Sequence, residues 1–228
     1  MIVTIDGPAG AGKSSVARAL ARRLGYRFLD TGAMYRAVTL AAIRRNINWN
    51  DVTALAELAR DLPLSLDGDQ VLLDGEDISR DIRTTDVTRQ IRHVADQPMI
   101  REHLVQMQRR LADGQDIVTE GRDQGTVAFP NADCKVFLTA SREERARRRH
   151  AELEQQGERT DVDSVLQQQD RRDTQDSSRE VGALVAADDA QVVVTDGMSL
   201  DDVIDHLEGL VLRLRQRRSQ DPLEDQAE

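Results

Sequence analysis

Ile2-Val3-Thr4-Ile5-Asp6 is an apolar, β-branched run that passes directly into Gly7-Pro8-Ala9-Gly10-Ala11-Gly12-Lys13-Ser14-Ser15. Residues 7–14 fit G-x-x-x-x-G-K-[ST], the phosphate-binding loop. Its glycines let backbone N–H groups curl round phosphate oxygens, and the start of the following helix adds partial positive charge. In this pattern Lys13 reaches the β- and γ-phosphates and the Ser14 hydroxyl ligands Mg²⁺. The flanks are those the motif requires. A strand-like run precedes it, and Val16, Ala17, Leu20, Ala21 and Leu24 follow at helical spacing, closed by Gly25 where a cap glycine belongs. Lysine occurs only at Lys13 and Lys135 among 31 basic residues, so a lysine at the motif's own position is hard to ascribe to chance. The stretch predicts a nucleoside triphosphate site at the end of a first β-strand.

Outward from the loop, short apolar runs at 27–29, 116–119, 135–139 and 191–195 alternate with helical patterns. Such alternation predicts an α/β chain with a parallel sheet flanked by helices. Ligands of these sheets bind beyond the carboxyl ends of the strands. Asp6-Gly7, Asp30-Thr31-Gly32, Glu120-Gly121-Arg122-Asp123 and Thr139-Ala140-Ser141 all fall there. The middle of the chain breaks the alternation. Residues 64–73 read as a hairpin turning at Asp67-Gly68. Helical segments over 86–94 and 98–112 follow, the second opened by Pro98 and repeating Ile100, Leu104, Met107 and Leu111. An antiparallel piece inside a parallel chain predicts an inserted lobe over 36–112 within a core of 1–35 and 113–216. Ser141-Arg142-Glu143-Glu144 is a capping-box start. Its helix, the polar turn Gly157-Glu158-Arg159-Thr160 and a helix from about Val162 make a candidate lid near 150–165. Ser199-Leu200-Asp201-Asp202 opens the last helix, and 217–228 reads as a polar, frayed tail.

The 228 residues are 39% hydrophobic, enough for one good-sized core with an inserted subdomain. Aromatics make up only 3%, so aliphatic packing must dominate. A net charge of −10 argues against a general nucleic-acid or anionic-membrane surface. The lone Cys134 excludes an intramolecular disulfide and a cysteine-rich zinc site, and beside Val136-Phe137-Leu138 it reads as a core thiol. No basic-then-apolar leader opens the chain, and no apolar stretch approaches the ~20 residues that span a bilayer. The expectation is a soluble, cytoplasmic protein.

Kinases, GTPase switches and motor ATPases share the phosphate loop. This chain has no N-K-x-D segment for reading guanine. Arg36, Arg122, Arg147, Arg148, Arg149, Arg172 and Arg179 fall at predicted loop and lid positions. Planar guanidinium groups bind phosphate oxygens bidentately and offset charge in phosphoryl transfer. A lobe and a lid would seat a second substrate and exclude the water that would otherwise take the γ-phosphoryl group. These features favour a small kinase. Three arginines in a row cannot share one helix face, so part of the 147–149 run solvates its helix. His93, His103, His150 and His206 form no catalytic cluster.

Several segments together resemble the bacterial cytidylate kinase family of the nucleoside monophosphate kinase superfamily. They are I-D-G-P-A-G-A-G-K-S-S at 5–15, L-D-T-G-A-M-Y-R at 29–36 and L-D-G-E-D-I-S-R-D-I-R-T at 73–84. E-G-R-D-Q-G-T-V-A-F-P-N-A-D-C-K-V-F-L-T-A-S at 120–141 and R-R-D-T-Q-D-S-S-R-E at 171–180 complete the set. The resemblance covers most of the chain, leaving out the polar tail. It implies a five-strand parallel core, an enlarged monophosphate-binding lobe and a short lid. It implies direct in-line transfer of the γ-phosphoryl group of ATP to CMP or dCMP, with Mg²⁺. By position, Gly7, Pro8, Ala9, Gly10, Ala11, Gly12, Lys13, Ser14 and Ser15 would hold the ATP phosphates, with Ser14 on the metal. Thr31, Tyr35, Arg36, Arg101, Arg122, Asp123, Arg172, Asp176 and Arg179 would surround the monophosphate. Within that set Arg36, Arg122 and Arg179 suit the phosphate, Arg172 and Asp176 the pentose, and Arg101 and Asp123 the cytosine. Lys13, Arg122 and Arg179 would carry the transfer, and the chain would act as a monomer.

Read from the residues alone, Tyr35 serves helix packing as well as it serves binding, Asp176 could cap a loop, and Arg101 is an exposed helix residue. Asp6 could bond the strand end or stand in the outer shell of Mg²⁺. The sequence departs from the family's pattern at Arg92, where a base-contacting serine is frequent, at Glu120, where aspartate is common, and at Thr31, where serine is common. Two rivals remain: a small-molecule or nucleotide kinase with another acceptor, and a nucleotide-sensing module that signals through the middle lobe.

Overall fold

A computed structural model describes residues 1–68, 70–155 and 157–220. The chain opens with β1 (Ile2–Asp6), α1 (Lys13–Leu24), β2 (Arg27–Asp30), α2 (Thr31–Arg44) and α3 (Val52–Asp61). A small antiparallel unit follows, β3 (Leu64–Asp67), β4 (Gln70–Leu73) and β5 (Glu76–Asp77), then α4 (Thr85–Gln90), α5 (Arg92–Ala95) and α6 (Pro98–Ala112). The chain then runs through β6 (Ile117–Gly121), β7 (Cys134–Thr139), α7 (Arg142–Gln155), α8 (Val162–Ser177), β8 (Gln191–Val194) and α9 (Leu200–Gln220).

Five strands pair in parallel in the order β2-β6-β1-β7-β8. Central strand β1 fixes the register, with Val3 opposite both Val118 and Cys134. Its Val3, Thr4 and Ile5 are all fully buried, as a strand covered by helices on both faces requires. On one face α1 and α9 supply Val16, Ala17, Leu20, Val203, Leu207 and Val211 to the core. Each buried valine or leucine among them contributes about 1.5–3 kcal/mol. The helix α1 ends at Gly25, whose left-handed φ of 70° lets its N–H close on the carbonyls of Ala21 and Arg22. The capping box expected at Ser141 forms by half: Ser141 Oγ accepts from Glu144 N at 3.3 Å, but Ser141 N donates to Asp196 at 2.9 Å while the Glu144 carboxylate pairs with Arg148. At Ser199 both bonds close, Ser199 Oγ accepting from Asp202 N at 3.2 Å and Asp202 Oδ2 from Ser199 N at 3.0 Å.

A second hydrophobic cluster runs from Ala33 to Leu104 and has no member in the five-stranded sheet. It contains α2, α3, the β3-β4-β5 unit and the start of α6. One helix joins the two cores. Ile100 and Leu104 of α6 pack into the 33–104 cluster, whereas its Val105 and Ala112 pack with Leu29, Ile117 and Phe129 against the sheet. The helix expected over 86–94 is instead α4 and α5, separated at Ile91. There Val94 N donates to Ile91 O, an i to i−3 bond that tightens the chain. The residues 217–220, read as frayed tail, continue α9; Arg218 in its last turn pairs with Asp133 and ties that end down. The rest of that tail, 221–228, lies outside the described residues. Among the described residues no helix is long and apolar enough to cross a membrane.

Candidate active site

The phosphate loop leaves the carboxyl end of β1 in conformations open to glycine. Gly10 and Gly12 have φ of 78° and 84°, and Gly12 is the cap from which α1 starts. A Cβ on Gly7 would overlap the carbonyl oxygen of Leu138, so the loop passes hard against the end of β7. Lys13 is buried, and its Nζ donates to the Pro8 carbonyl at 2.8 Å, across the loop's own mouth. Burial, reinforced by the Arg122 charge, pushes the Lys13 amine down to about 7. Ser14 Oγ donates to Glu120 Oε1 at 2.8 Å, and the Glu120 carbonyl accepts from Thr31 Oγ1 at 2.6 Å. Ser15 is exposed in the first turn of α1.

Asp6 resolves toward the strand end. Its two carboxylate oxygens accept Gln124 N at 2.9 Å and Gly125 N at 2.7 Å, so it fixes the turn of π-helix over Gln124–Ala128 that follows β6. Burial pushes this carboxyl up to about 6 despite those two donors.

Beyond the loop, acids and arginines close on one another. The α8 residue Asp176 accepts Arg122 Nε at 2.8 Å and Arg179 Nη2 at 2.5 Å, and Arg172 Nε stands 4.0 Å away. Burial alone would raise the Asp176 carboxyl; the charges of Arg122, Arg179 and Arg172 outweigh it and hold the group below its ordinary value. Burial, with Arg122 nearby, pushes Arg172 down to about 10. Asp176 therefore does not cap a loop with its carboxylate. Arg179 Nε also donates to Asp96 Oδ1 at 2.6 Å, a partner 83 residues away on the rim of the 33–104 cluster.

Arg101 is buried, not exposed on its helix: its Nη1 donates to the Ala95 carbonyl at 2.9 Å and its Nη2 pairs with Asp123. Its guanidinium lies over the Tyr35 ring, 5.4 Å from the centroid. Burial pushes the Tyr35 hydroxyl up to about 12. Gly182, at φ 72°, seals this pair, because a Cβ there would run into both Arg101 Nη2 and Asp123 Oδ2. Gln124 Nε2 donates to Gln108 Oε1 at 3.3 Å behind it.

Some expected arginines take other hydrogen-bond partners, although the charge of Arg36 still reaches Arg172 and lowers its pKa. Arg36 bonds within the lobe, to the Ile82 carbonyl at 3.1 Å and Thr88 Oγ1 at 2.9 Å. Arg147 pairs with Glu144, Arg148 reaches Glu144 and Thr195, and Arg149 pairs with Glu152. These bonds serve the surface of α7 and its junction with the end of β8. Sequence reasoning passed over Arg145, Asp173, Asp96, Gln108 and Gln124. A signal existed for Asp173, since Gln169, Asp173 and Asp176 sit at i, i+4 and i+7 of one helix. Nothing local marks Asp96, whose partner is distant in sequence. A cavity of about 720 Å³ opens at the opposite end of the sheet, lined by Met1, Arg109, Phe129 and Arg218 among others, and touches none of these groups.

The sequence model of the family described as Cytidylate kinase matches residues 3–212. The chain belongs to the cytidylate kinase family. A cytidylate kinase of Rhodopirellula baltica is 56% identical over 211 residues, covering 92% of each chain. One of Caldanaerobacter subterraneus subsp. tengcongensis is 45% identical over 205 residues, covering 90% of this chain and 92% of the relative. Among solved structures, an uncharacterized protein from Eubacterium ventriosum superposes with a TM-score of 0.52 at 14% identity, covering 93% of this chain and 98% of that one. That likeness concerns the fold alone.

Proposed function

We propose that this member of the cytidylate kinase family transfers the γ-phosphoryl group of ATP to CMP and dCMP, giving CDP and dCDP. The observation that carries the reading is the juxtaposition of two charge systems. Lys13 in the phosphate loop lies close enough to Arg122 and Arg172 for their charges to lower its pKa, and those arginines gather on Asp176. A donor triphosphate and an acceptor monophosphate would meet between them. The acceptor is itself a phosphate oxygen, so the transfer needs no dedicated general base. Positioning and charge neutralisation by Lys13, Arg122 and Arg179 supply the catalysis, in line and without a phosphoenzyme.

The loop residues 7–15 hold the ATP phosphates. Arg122, Arg179 and Arg36 serve the CMP phosphate, Arg172 and Asp176 the pentose, Arg101 and Asp123 the cytosine, with Thr31 and Tyr35 completing the wall. A Mg²⁺ ion suits the donor set beside the loop, because the Ser14 hydroxyl and the Glu120 carboxylate are hard oxygen ligands 2.8 Å apart. Bound there with the phosphates, it would neutralise charge on the transferring group; Ser14 and Glu120 orient the site for it. The segment 36–112 acts as the acceptor lobe, and the α7–α8 turn near 150–165 as a lid. We place the enzyme in the cytoplasm, acting as a monomer on small-molecule nucleotides rather than on nucleic acid.

Coupled turnover with CMP, dCMP, UMP, AMP and no acceptor tests the reading. CMP and dCMP should be the best acceptors. Turnover that ignores CMP in favour of another acceptor would point to a different kinase, and acceptor-independent hydrolysis alone would point to a sensor.

A further inference from the structure

The helix α8 carries a second acid one turn before Asp176, and it points at the donor side. Asp173 Oδ1 accepts the Ala9 backbone N–H at 3.1 Å, and Asp173 Oδ2 accepts Arg145 Nη1 at 2.5 Å. The same Arg145 Nη1 donates to the Ala9 carbonyl at 2.8 Å, and Arg145 Nε to the Ala140 carbonyl at 3.3 Å. Both polar ends of one phosphate-loop residue are thus gripped by a single ion pair. Arg145 is only 5% exposed. A turn earlier on α8, the buried Gln169 donates its Nε2 to the Arg145 carbonyl at 3.2 Å. A Cβ on Gly10 would collide with that Gln169 amide, so the loop lies directly on the pair of helices.

Burying an ion pair is a poor way to add stability, since desolvation offsets most of the attraction. It is a good way to fix direction, because a guanidinium and a carboxylate each bond at set angles. A buried N–H and carbonyl always need partners; at Ala9 both are given to one charged pair instead of neighbouring backbone, which fixes the direction of the adjoining peptides as well as satisfying them. We propose that Asp173 and Arg145 are positioning residues for the donor loop, orienting it for the ATP phosphates from the lid helices α7 and α8. The inference rests on the reading that residues 7–14 hold those phosphates. Since Asp176 on the same face of α8 holds Arg122 and Arg179, one rigid helix sets the donor loop and the acceptor arginines against a common reference.

The test compares Asp173→Asn, Asp173→Ala and Arg145→Lys with wild type. Asp173→Asn keeps an oxygen for the Ala9 N–H but loses the charge on Arg145; Asp173→Ala loses both. One charge-assisted hydrogen bond corresponds to a change of about tenfold or more. The ATP Kd by calorimetry and the ATP KM should therefore rise about tenfold in Asp173→Asn and further in Asp173→Ala, with CMP KM changed by less than about twofold. Arg145→Lys, which keeps charge but not the fork, should fall with Asp173→Asn. Thermal unfolding confirms that each variant is folded, and Asp173→Asn carries the test if Asp173→Ala is not. Unchanged ATP affinity in folded Asp173→Asn and Arg145→Lys, or equal shifts for ATP and CMP, overturns the proposal. Lys13→Ala, titrated alongside, separates the two levels. If it binds ATP as wild type does, the loop reading itself fails; if it loses ATP while the Asp173 variants keep it, only the positioning role falls.

Discussion

Around the phosphate loop the polar side chains bond mainly to backbone: Lys13 to the Pro8 carbonyl, Asp6 to Gln124 N and Gly125 N, Thr31 to the Glu120 carbonyl. Around the acceptor-side arginines they bond to one another: Arg122 and Arg179 to Asp176, Arg179 to Asp96, Arg101 to Asp123. The two modes respond differently to a ligand. Backbone partners are set by the fold and hold a shape whether or not phosphate is bound. A carboxylate on an arginine offers the same two-oxygen chemistry as a phosphate, so an incoming monophosphate can take over that partner with little loss. On the function proposed above, the donor side would be preorganised and the acceptor side exchangeable.

The strongest way to break this contrast is Lys13→Ala. Removing one preorganised charge aimed at the transferring group should lower kcat by about 10³-fold with the fold intact, measured by coupled turnover and thermal unfolding. Near-normal rates would remove the donor loop from the chemistry. Next, Arg179→Ala should raise the CMP KM by about tenfold to a hundredfold, with the ATP KM far less affected. Equal shifts for both nucleotides would mean that the two sides are not separate.

The preorganised side has a pH signature at Asp6. Burial lifts its folded pKa to about 6, above the ordinary aspartate value of 3.8, so the folded state holds the proton more tightly. That contribution is fully present below the unfolded pKa and is lost as pH rises through about 6. Acidifying from pH 7 to pH 5 should therefore favour wild type over Asp6→Asn by about 1 kcal/mol in urea unfolding. A difference of the opposite sign would show that the carboxylate is held by its two N–H donors more strongly than burial opposes it. The smallest effect is the most diagnostic of exchange. Asp96 is a half-exposed partner of Arg179, and such pairs are worth about 0.2–1 kcal/mol. Asp96→Asn should release Arg179 Nε, leaving Nη2 on Asp176, and lower the CMP KM by up to about fivefold. A raised CMP KM would mean that Asp96 aims Arg179 rather than competes for it.

The same contrast explains what could be read from the chain. All five strands of the parallel sheet, α1 with its Gly25 cap, and the helix starts at Ser141 and Ser199 follow from local periodicity and turn chemistry, which act over a few residues. The phosphate loop is legible because its glycines and Lys13 are fixed by a local pattern, although Glu120, Arg145 and Asp173, which hold it, are remote in sequence. Partners on the acceptor side are remote: 83 residues separate Arg179 from Asp96, and 54 separate Arg122 from Asp176. No local pattern encodes such pairs, which is why Arg101 reads as exposed until Asp123, Ala95 and Tyr35 surround it. The strand β5 follows from a local signal that was passed over, the Asp74-Gly75 turn at φ 52° and 81° that sets Leu73 opposite Glu76, while Arg147, Arg148 and Arg149 bond to Glu144, Thr195 and Glu152.

The helix α6 has Ile100 and Leu104 in one core and Val105 and Ala112 in the other. Met107 and Leu111 pack on the first cluster as well, so the two cores grip α6 on different faces along one shared length. A single helix thus serves as a common wall, and a substitution at Leu111 would touch both sides of it at once.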